Sequence, residues 1–120
     1  MGNQRATGKE KEQMAAAYLE QLGYQIIERN FYCRQGEIDL ICKDGLTYVF
    51  VEVKYRKSRT KGTAAEAVTR EKCKRILSCA RYYLYSHHIR EDSVSCRFDV
   101  VAIDGEEITL IKNAFDADYR

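Results

Sequence analysis

Polar and apolar positions along the chain alternate between a helical rhythm and a strand rhythm. Met14, Ala15, Tyr18, Leu19 and Leu22 recur at helical spacing behind Thr7 and Glu10. Thr7 with Glu10 three residues on is a capping-box pattern, so a first helix is predicted from Thr7 to about Gln21, with Gly23 as its stop. Tyr24 to Arg29 reads as a short strand, and Asn30 to Gln35 as irregular chain ending at Gly36. The clearest strands are Glu37 to Lys43 and Thr47 to Tyr55, joined by Asp44-Gly45-Leu46, a hairpin signal. Arg56 to Gly62 is then a basic loop and Ala64 to Val68 a helical turn. Thr69 caps a second long helix to about Tyr85, with Cys73, Ile76, Leu77, Ala80 and Leu84 as its apolar stripe. After a polar loop from His87 to Ser95 come a strand over Cys96 to Ile103, a turn at Asp104-Gly105, and a last strand over Glu107 to Lys112. The order of elements implies an α/β domain with a mixed sheet, and 120 residues suit one domain spanning 1–120.

Strand alternation sorts the side chains of the hairpin. Ile38, Leu40 and Cys42 share one side of the first strand, and Glu37, Asp39 and Ile41 the other. In the second strand Val49, Val51 and Val53 oppose Phe50, Glu52 and Lys54. If the apolar sets face one core, Glu37, Asp39, Glu52 and Lys54 converge on the opposite, charged face. With Gly45 and Leu46 central in the turn, Asp39 lies directly opposite Glu52; with Asp44 and Gly45 central, the two are diagonal neighbours. Either register puts the carboxylates within roughly 5–8 Å at Cβ, close enough to share a cation. Two carboxylates that close repel unless a positive charge lies between them, and a hard ion such as Mg²⁺ suits oxygen ligands. Lys54 can orient water or offset phosphoryl charge. An ordinary solvated hairpin carries such charges too.

Charge adds a second theme. The net charge of +2 conceals a block from Lys54 to Arg81 with ten basic and two acidic residues, a net of +8 against −6 for the remainder. Such a block points to a polyanion partner, with Arg56, Lys57, Lys72 and Arg75 as candidate contacts, although a solvated basic helix has the same composition. No apolar run reaches the length of a membrane span, and the first residues have no apolar core of a signal peptide. Five cysteines, an odd number without a CxxC pair, argue against a zinc knuckle or a disulfide framework and for reduced thiols in a cytoplasmic protein.

Three stretches carry a resemblance: Gly36-Glu37-Ile38-Asp39-Leu40-Ile41, Val49-Phe50-Val51-Glu52-Val53-Lys54-Tyr55-Arg56, and Arg97-Phe98-Asp99-Val100-Val101. Together they resemble the YraN family of small bacterial proteins, over nearly the whole chain from Gly8 and Glu12 to Asn113-Ala114-Phe115. The Asp39…Glu52-x-Lys54 core is similar to the PD-(D/E)XK nuclease superfamily, with archaeal Holliday-junction resolvases the nearest in pattern. The proline of that superfamily's loose PD pair is replaced by Ile38. The resemblance implies a restriction-endonuclease-like α/β fold, with a central mixed sheet flanked by helices. It implies Mg²⁺ or Mn²⁺ held by Asp39, Glu52 and the backbone carbonyl of Val53, with Lys54 as the catalytic lysine. Glu12 matches the acidic residue that joins the site from the first helix in the resolvases. Junction resolvases act as dimers, which implies a homodimer, although no exposed apolar stripe in the sequence marks an interface.

Three readings of function follow. The first is a metal-dependent endonuclease hydrolysing phosphodiesters of DNA, branched or single-stranded. The second is a non-catalytic nucleic-acid-binding module that retains the nuclease fold; an accessory protein with a protein partner is a third. Among the remaining residues, Glu37 is either an outer member of the charged site or a solvated strand-end charge. Asp99 can either support the site or pair with Arg97, and the structural role is the favoured one. His87 and His88 sit in a polar loop, and Tyr82, Tyr83 and Tyr85 suit core packing more than base stacking.

Overall fold

The computed structural model describes residues 4–57 and 68–115, with side chains described from Gly8 onward. Helix α1 spans Gln4–Gln21, β1 Gln25–Cys33, β2 Gly36–Asp44, β3 Thr47–Arg56, α2 Arg70–Ser86, β4 Ser95–Asp104 and β5 Glu107–Phe115, with a 3₁₀ turn at Glu91–Ser93. The strands form one sheet in the order β1-β2-β3-β4-β5. Neighbours are antiparallel except β3 and β4, which run parallel because α2 crosses over between them. This is the mixed sheet flanked by helices that was expected, and its arrangement is consistent with a restriction-endonuclease-like fold.

Local signals account for most element ends. Thr69 caps α2, its Oγ1 accepting the Lys72 N–H at 3.1 Å. Gly23, at φ 97°, ends α1: its N–H donates to the Glu20 carbonyl and that of Tyr24 to the Leu19 carbonyl, both at 3.0 Å. The β2–β3 turn has Gly45 and Leu46 at its centre. Gly45 has φ 64° and Leu46 keeps an ordinary φ, which matches a Gly-first hairpin turn. The pairs Asp44↔Thr47 through Leu40↔Val51 follow from it.

Both faces of the sheet are covered. Leu40, Cys42, Val49 and Val51 pack beneath Ala15, Ala16 and Leu19 of α1. Ile41, Phe50 and Phe98 pack beneath Ile76, Ala80 and Tyr83 of α2. Ile41 and Phe50 share the strand parity of the charged residues, so the face expected to be wet is half roofed by α2. Ile38 also joins the α2 cluster, whereas Leu40, two residues on, joins the α1 cluster. Regular alternation would put them on one side, so β2 turns over between them.

Four further expectations need correction. Helix α1 begins at Gln4, so Thr7 lies inside the helix and is not its cap. Leu22, counted in the apolar stripe, is half exposed beyond the helix end. The stretch from Asn30 to Cys33 is strand, with Asn30 at φ 53° as its irregularity. Cys33 of β1 and Cys79 of α2 form a disulfide, with Cα atoms 6.0 Å apart, where reduced thiols were expected. They stand 46 residues apart, and only the packing of α2 over β1 brings them together. The helical turn expected over 64–68 and most of the basic loop fall outside the described residues.

Candidate metal and nucleic-acid site

At the open end of the β2–β3 hairpin, Asp39 and Glu52 come together and both are buried, at 9% and 4% exposure. In a two-residue hairpin the hydrogen-bonded pairs alternate from the turn, which would give the Val53 N–H to the carbonyl of Ile38. Instead that N–H donates to Asp39 Oδ2 at 2.8 Å. The side chain thus takes over the ladder where β2 turns over, and this holds Asp39 at the strand end.

From β1, Asn30 reaches the same place. Its Nδ2 donates to Glu12 Oε1 at 3.0 Å and to Glu37 Oε2 at 3.1 Å. Carboxylate oxygens of Glu12, Glu37 and Asp39 lie within 4.8 Å of one another. From α2, Lys72 Nζ stands 3.5 Å from Glu52 Oε2, while Glu52 Oε1 is buried and accepts no hydrogen bond.

The electrostatics follow from this crowding. Burial, reinforced by the Glu52 carboxylate and opposed by the Val53 N–H, pushes Asp39 up to about 9. Burial also raises Glu52, and its hydrogen bond with Asp39 and the charges of Lys72 and Lys54 oppose that rise. The crowded pair as a whole therefore resists carrying two negative charges. Glu52 Oε1 leaves an acceptor without a donor. Such a group suits a hard cation with oxygen ligands, and so does the gathering of Glu12, Glu37 and Asp39 around it.

Each residue singled out in the sequence has a place. Asp39 and Glu52 meet, and Glu12 joins from α1. Lys54 is half-buried and close enough for its charge to act on Glu52. Lys72 and Arg75 lie on one face of α2, beside Glu37 and Gly36. Arg56 and Lys57 lie at the end of β3 near the β4–β5 turn, where the Arg56 carbonyl accepts the Gly105 N–H at 2.8 Å. Two partners were not anticipated. Asn30, in what read as loop, bridges two carboxylates; an asparagine at a positive φ is the signal that marks it. Lys72, expected only to meet a polyanion, also pairs with Glu52.

Asp99 sits apart from this cluster in a network of its own. Fully buried, it accepts from Arg97 Nε at 2.9 Å, from the Tyr24 hydroxyl at 3.1 Å and from the Asn113 N–H at 2.9 Å. Arg97 also pairs with Asp44 at 3.1 Å. The network ties β2, β4, β5 and the start of β1 together, as a structural role requires. His87 ends α2 and stacks on Tyr83 with ring centroids 4.0 Å apart. Tyr83 is core, whereas Tyr82 and Tyr85 are exposed.

A family model described as "Uncharacterised protein family UPF0102" matches residues 11–103. A UPF0102 protein of Lachnoclostridium phytofermentans is 51% identical over 115 residues, covering 96% of this chain and 97% of the relative. One from Syntrophus aciditrophicus is 50% identical over 117 residues, covering 94% and 91%. The Shigella flexneri relative, named UPF0102 protein YraN, is 49% identical over 110 residues, covering 92% and 84%. The matched segment runs from within α1 into β4, and so includes Glu12, Asn30, Glu37, Asp39, Glu52 and Lys72. Among the described residues no helix is long and apolar enough to cross a membrane.

Proposed function

We propose, from the premise that this chain belongs to the UPF0102 family, that it is a metal-dependent endonuclease acting on DNA. The observation that carries this reading is the buried Glu52 Oε1, left without a hydrogen-bond donor beside a second buried carboxylate. A buried pair of this kind is costly to the fold, and cost concentrated at one strand end suits a binding site better than a stabilising one.

Asp39 and Glu52 would hold Mg²⁺ or Mn²⁺, with the Val53 carbonyl implied by the likeness to PD-(D/E)XK nucleases, and Glu12 and Glu37 would complete the acidic ring. A divalent ion there supplies Lewis acidity toward a phosphodiester and lowers the pKa of water. The chain's own contributions are positional. The Val53 N–H and Asn30 fix the carboxylates, so little reorganisation is needed when the site fills. Lys54 keeps positive charge beside Glu52, where charge developing on a phosphate oxygen would be offset. The cations of α2 border the cluster and suit the phosphate backbone on either side of the reacting bond.

A second reading is favoured by Lys72. Its ammonium already neutralises Glu52, as it would in a nucleic-acid-binding module that dispenses with metal. Calorimetric titration with Mn²⁺ separates the two, together with a cleavage panel of duplex, single-stranded, flap and four-way-junction DNA. Metal binding with Mg²⁺-dependent cutting supports the nuclease. DNA binding with neither effect supports the module.

A further inference from the structure

A groove of about 390 Å³ opens beside the carboxylate cluster, lined by Tyr32, Gln35, Gly36, Glu37, Lys72 and Arg75. Its walls come from the β1–β2 hairpin and from α2. We infer that this groove binds one unpaired nucleotide next to the reacting phosphate, with its base stacked on Tyr32 and its phosphate held by Lys72 and Arg75. The inference rests on the nuclease reading for its place in catalysis, but the binding itself needs no metal.

Three features of the groove fit that occupant. Tyr32 lies on the edge strand β1 and is 69% exposed, so much of its side chain faces solvent. Every base has a π-face, so such a ring takes any unpaired base, whereas a base held in a duplex is already stacked. Lys72 and Arg75 are three residues apart on α2 and therefore side by side. Among the described residues Arg75 forms a loose, exposed ion pair with Glu71 at 3.9 Å, worth too little to compete with a phosphate.

The position is the third feature. Tyr32 is the cross-strand partner of Glu37, and Asp39 follows two residues along β2. That step is roughly 6.6 Å of strand, so a chain stretched over Tyr32 delivers its neighbouring phosphate to the carboxylates. Glu37 is turned toward the cluster by Asn30, which leaves Lys72 and Arg75 as the groove's cations. Duplex ends, flaps and junction branch points all offer an unpaired base beside a backbone phosphate. The groove thus selects for a distorted or unpaired substrate without reading its sequence.

The test compares two labelled probes of equal length by fluorescence anisotropy in EDTA: oligothymidylate, and the same sugar–phosphate chain with abasic sites. Tyr32→Ala should weaken oligothymidylate binding about tenfold, within the ~1–3 kcal/mol of one stacked base, and change abasic binding less than twofold. Tyr32→Phe should retain the parent's affinity for both, which excludes loss of fold as the cause. Arg75→Ala should weaken both probes alike. Equal effects of Tyr32→Ala on the two probes, or none on either, would overturn the groove assignment. The cleavage panel is a separate readout. Stacking without cutting would leave the groove in place and remove the nuclease; cutting with Tyr32 silent in binding would do the reverse.

Discussion

The backbone N–H of Val53 donates to the carboxylate of Asp39 at 2.8 Å, so the β2–β3 ladder ends on a side chain. That hydrogen bond places Asp39 beside Glu52 at the point where β2 turns over. The fold stabilises both strands nearer the turn, where Leu40, Val51, Ile41 and Phe50 are fully packed. It can therefore bear two crowded carboxylates at the open end.

A cation at this site should stabilise the fold. Millimolar Mn²⁺ is expected to raise the melting temperature, by about 2.7 kcal/mol of stability when the ion is at a hundred times its dissociation constant. Glu52→Gln should abolish the shift. In EDTA the same variant should lie close to the parent in stability, because loss of the half-exposed Lys72 pair is offset by removal of a buried charge beside Asp39. Differential scanning calorimetry with and without Mn²⁺ checks both; an equal shift in parent and variant would place the ion elsewhere.

Without metal, stability should fall as pH rises. Asp39 is pushed up to about 9 in the folded protein, against ~3.9 in an unfolded chain. Between those values the folded chain holds a proton that the unfolded chain has released. Its stabilising effect is complete below about pH 4 and is withdrawn as pH climbs toward 9. Asp39→Asn cannot ionise, so it should gain on the parent from about pH 5 to about pH 8, by up to ~1.4 kcal/mol per pH unit. Urea midpoints in EDTA that move in parallel for the two proteins would contradict this.

The Asp99 network should matter to the fold and not to metal. Asp99→Ala removes the nearer of the two carboxylates of Arg97 and takes the acceptor from the Tyr24 O–H and the Asn113 N–H. A loss of roughly 3–5 kcal/mol is expected, as for one half of a buried ion pair. The Mn²⁺ affinity of whatever fraction remains folded should match the parent's. Chemical denaturation followed by Mn²⁺ titration would show it; a stable variant unable to bind Mn²⁺ would assign Asp99 to the site instead.

Much of this was legible in the sequence, for physical reasons that differ by element. The α2 stripe and its Thr69 cap were readable because a helix repeats its apolar spacing over several turns. The β2–β3 register was readable because Gly45 restricts the turn, and one of the two registers considered places Asp39 opposite Glu52. Alternation failed at Ile38, because a side-chain hydrogen bond at Asp39 breaks the period and no local residue announces it. Partners distant in sequence were hidden for the same reason: Lys72 with Glu52, and Cys33 with Cys79, meet only once α2 is docked. Asn30 read as loop because its left-handed backbone interrupts a strand that resumes beyond it.

If α2 touches the phosphate backbone, the salt dependence of binding should show it. Deleting one cation that neutralises a phosphate should reduce the slope of log K against log salt by about 0.7 for single-stranded DNA. Lys72→Ala with Arg75→Ala should therefore lower the slope by about 1.4 relative to the parent. Unchanged slopes would mean that these residues do not touch the backbone.

The central claim is hydrolysis at the Asp39–Glu52 pair. Its most direct measurement is cleavage of branched DNA in Mg²⁺ by the parent and by Glu52→Ala, purified side by side. The parent should cut, and EDTA should stop it. Glu52→Ala should not cut, while still folding and still holding DNA through Lys72 and Arg75. Equal cleavage by parent and variant would contradict the claim, as would a parent that binds DNA and divalent metal yet leaves every substrate intact.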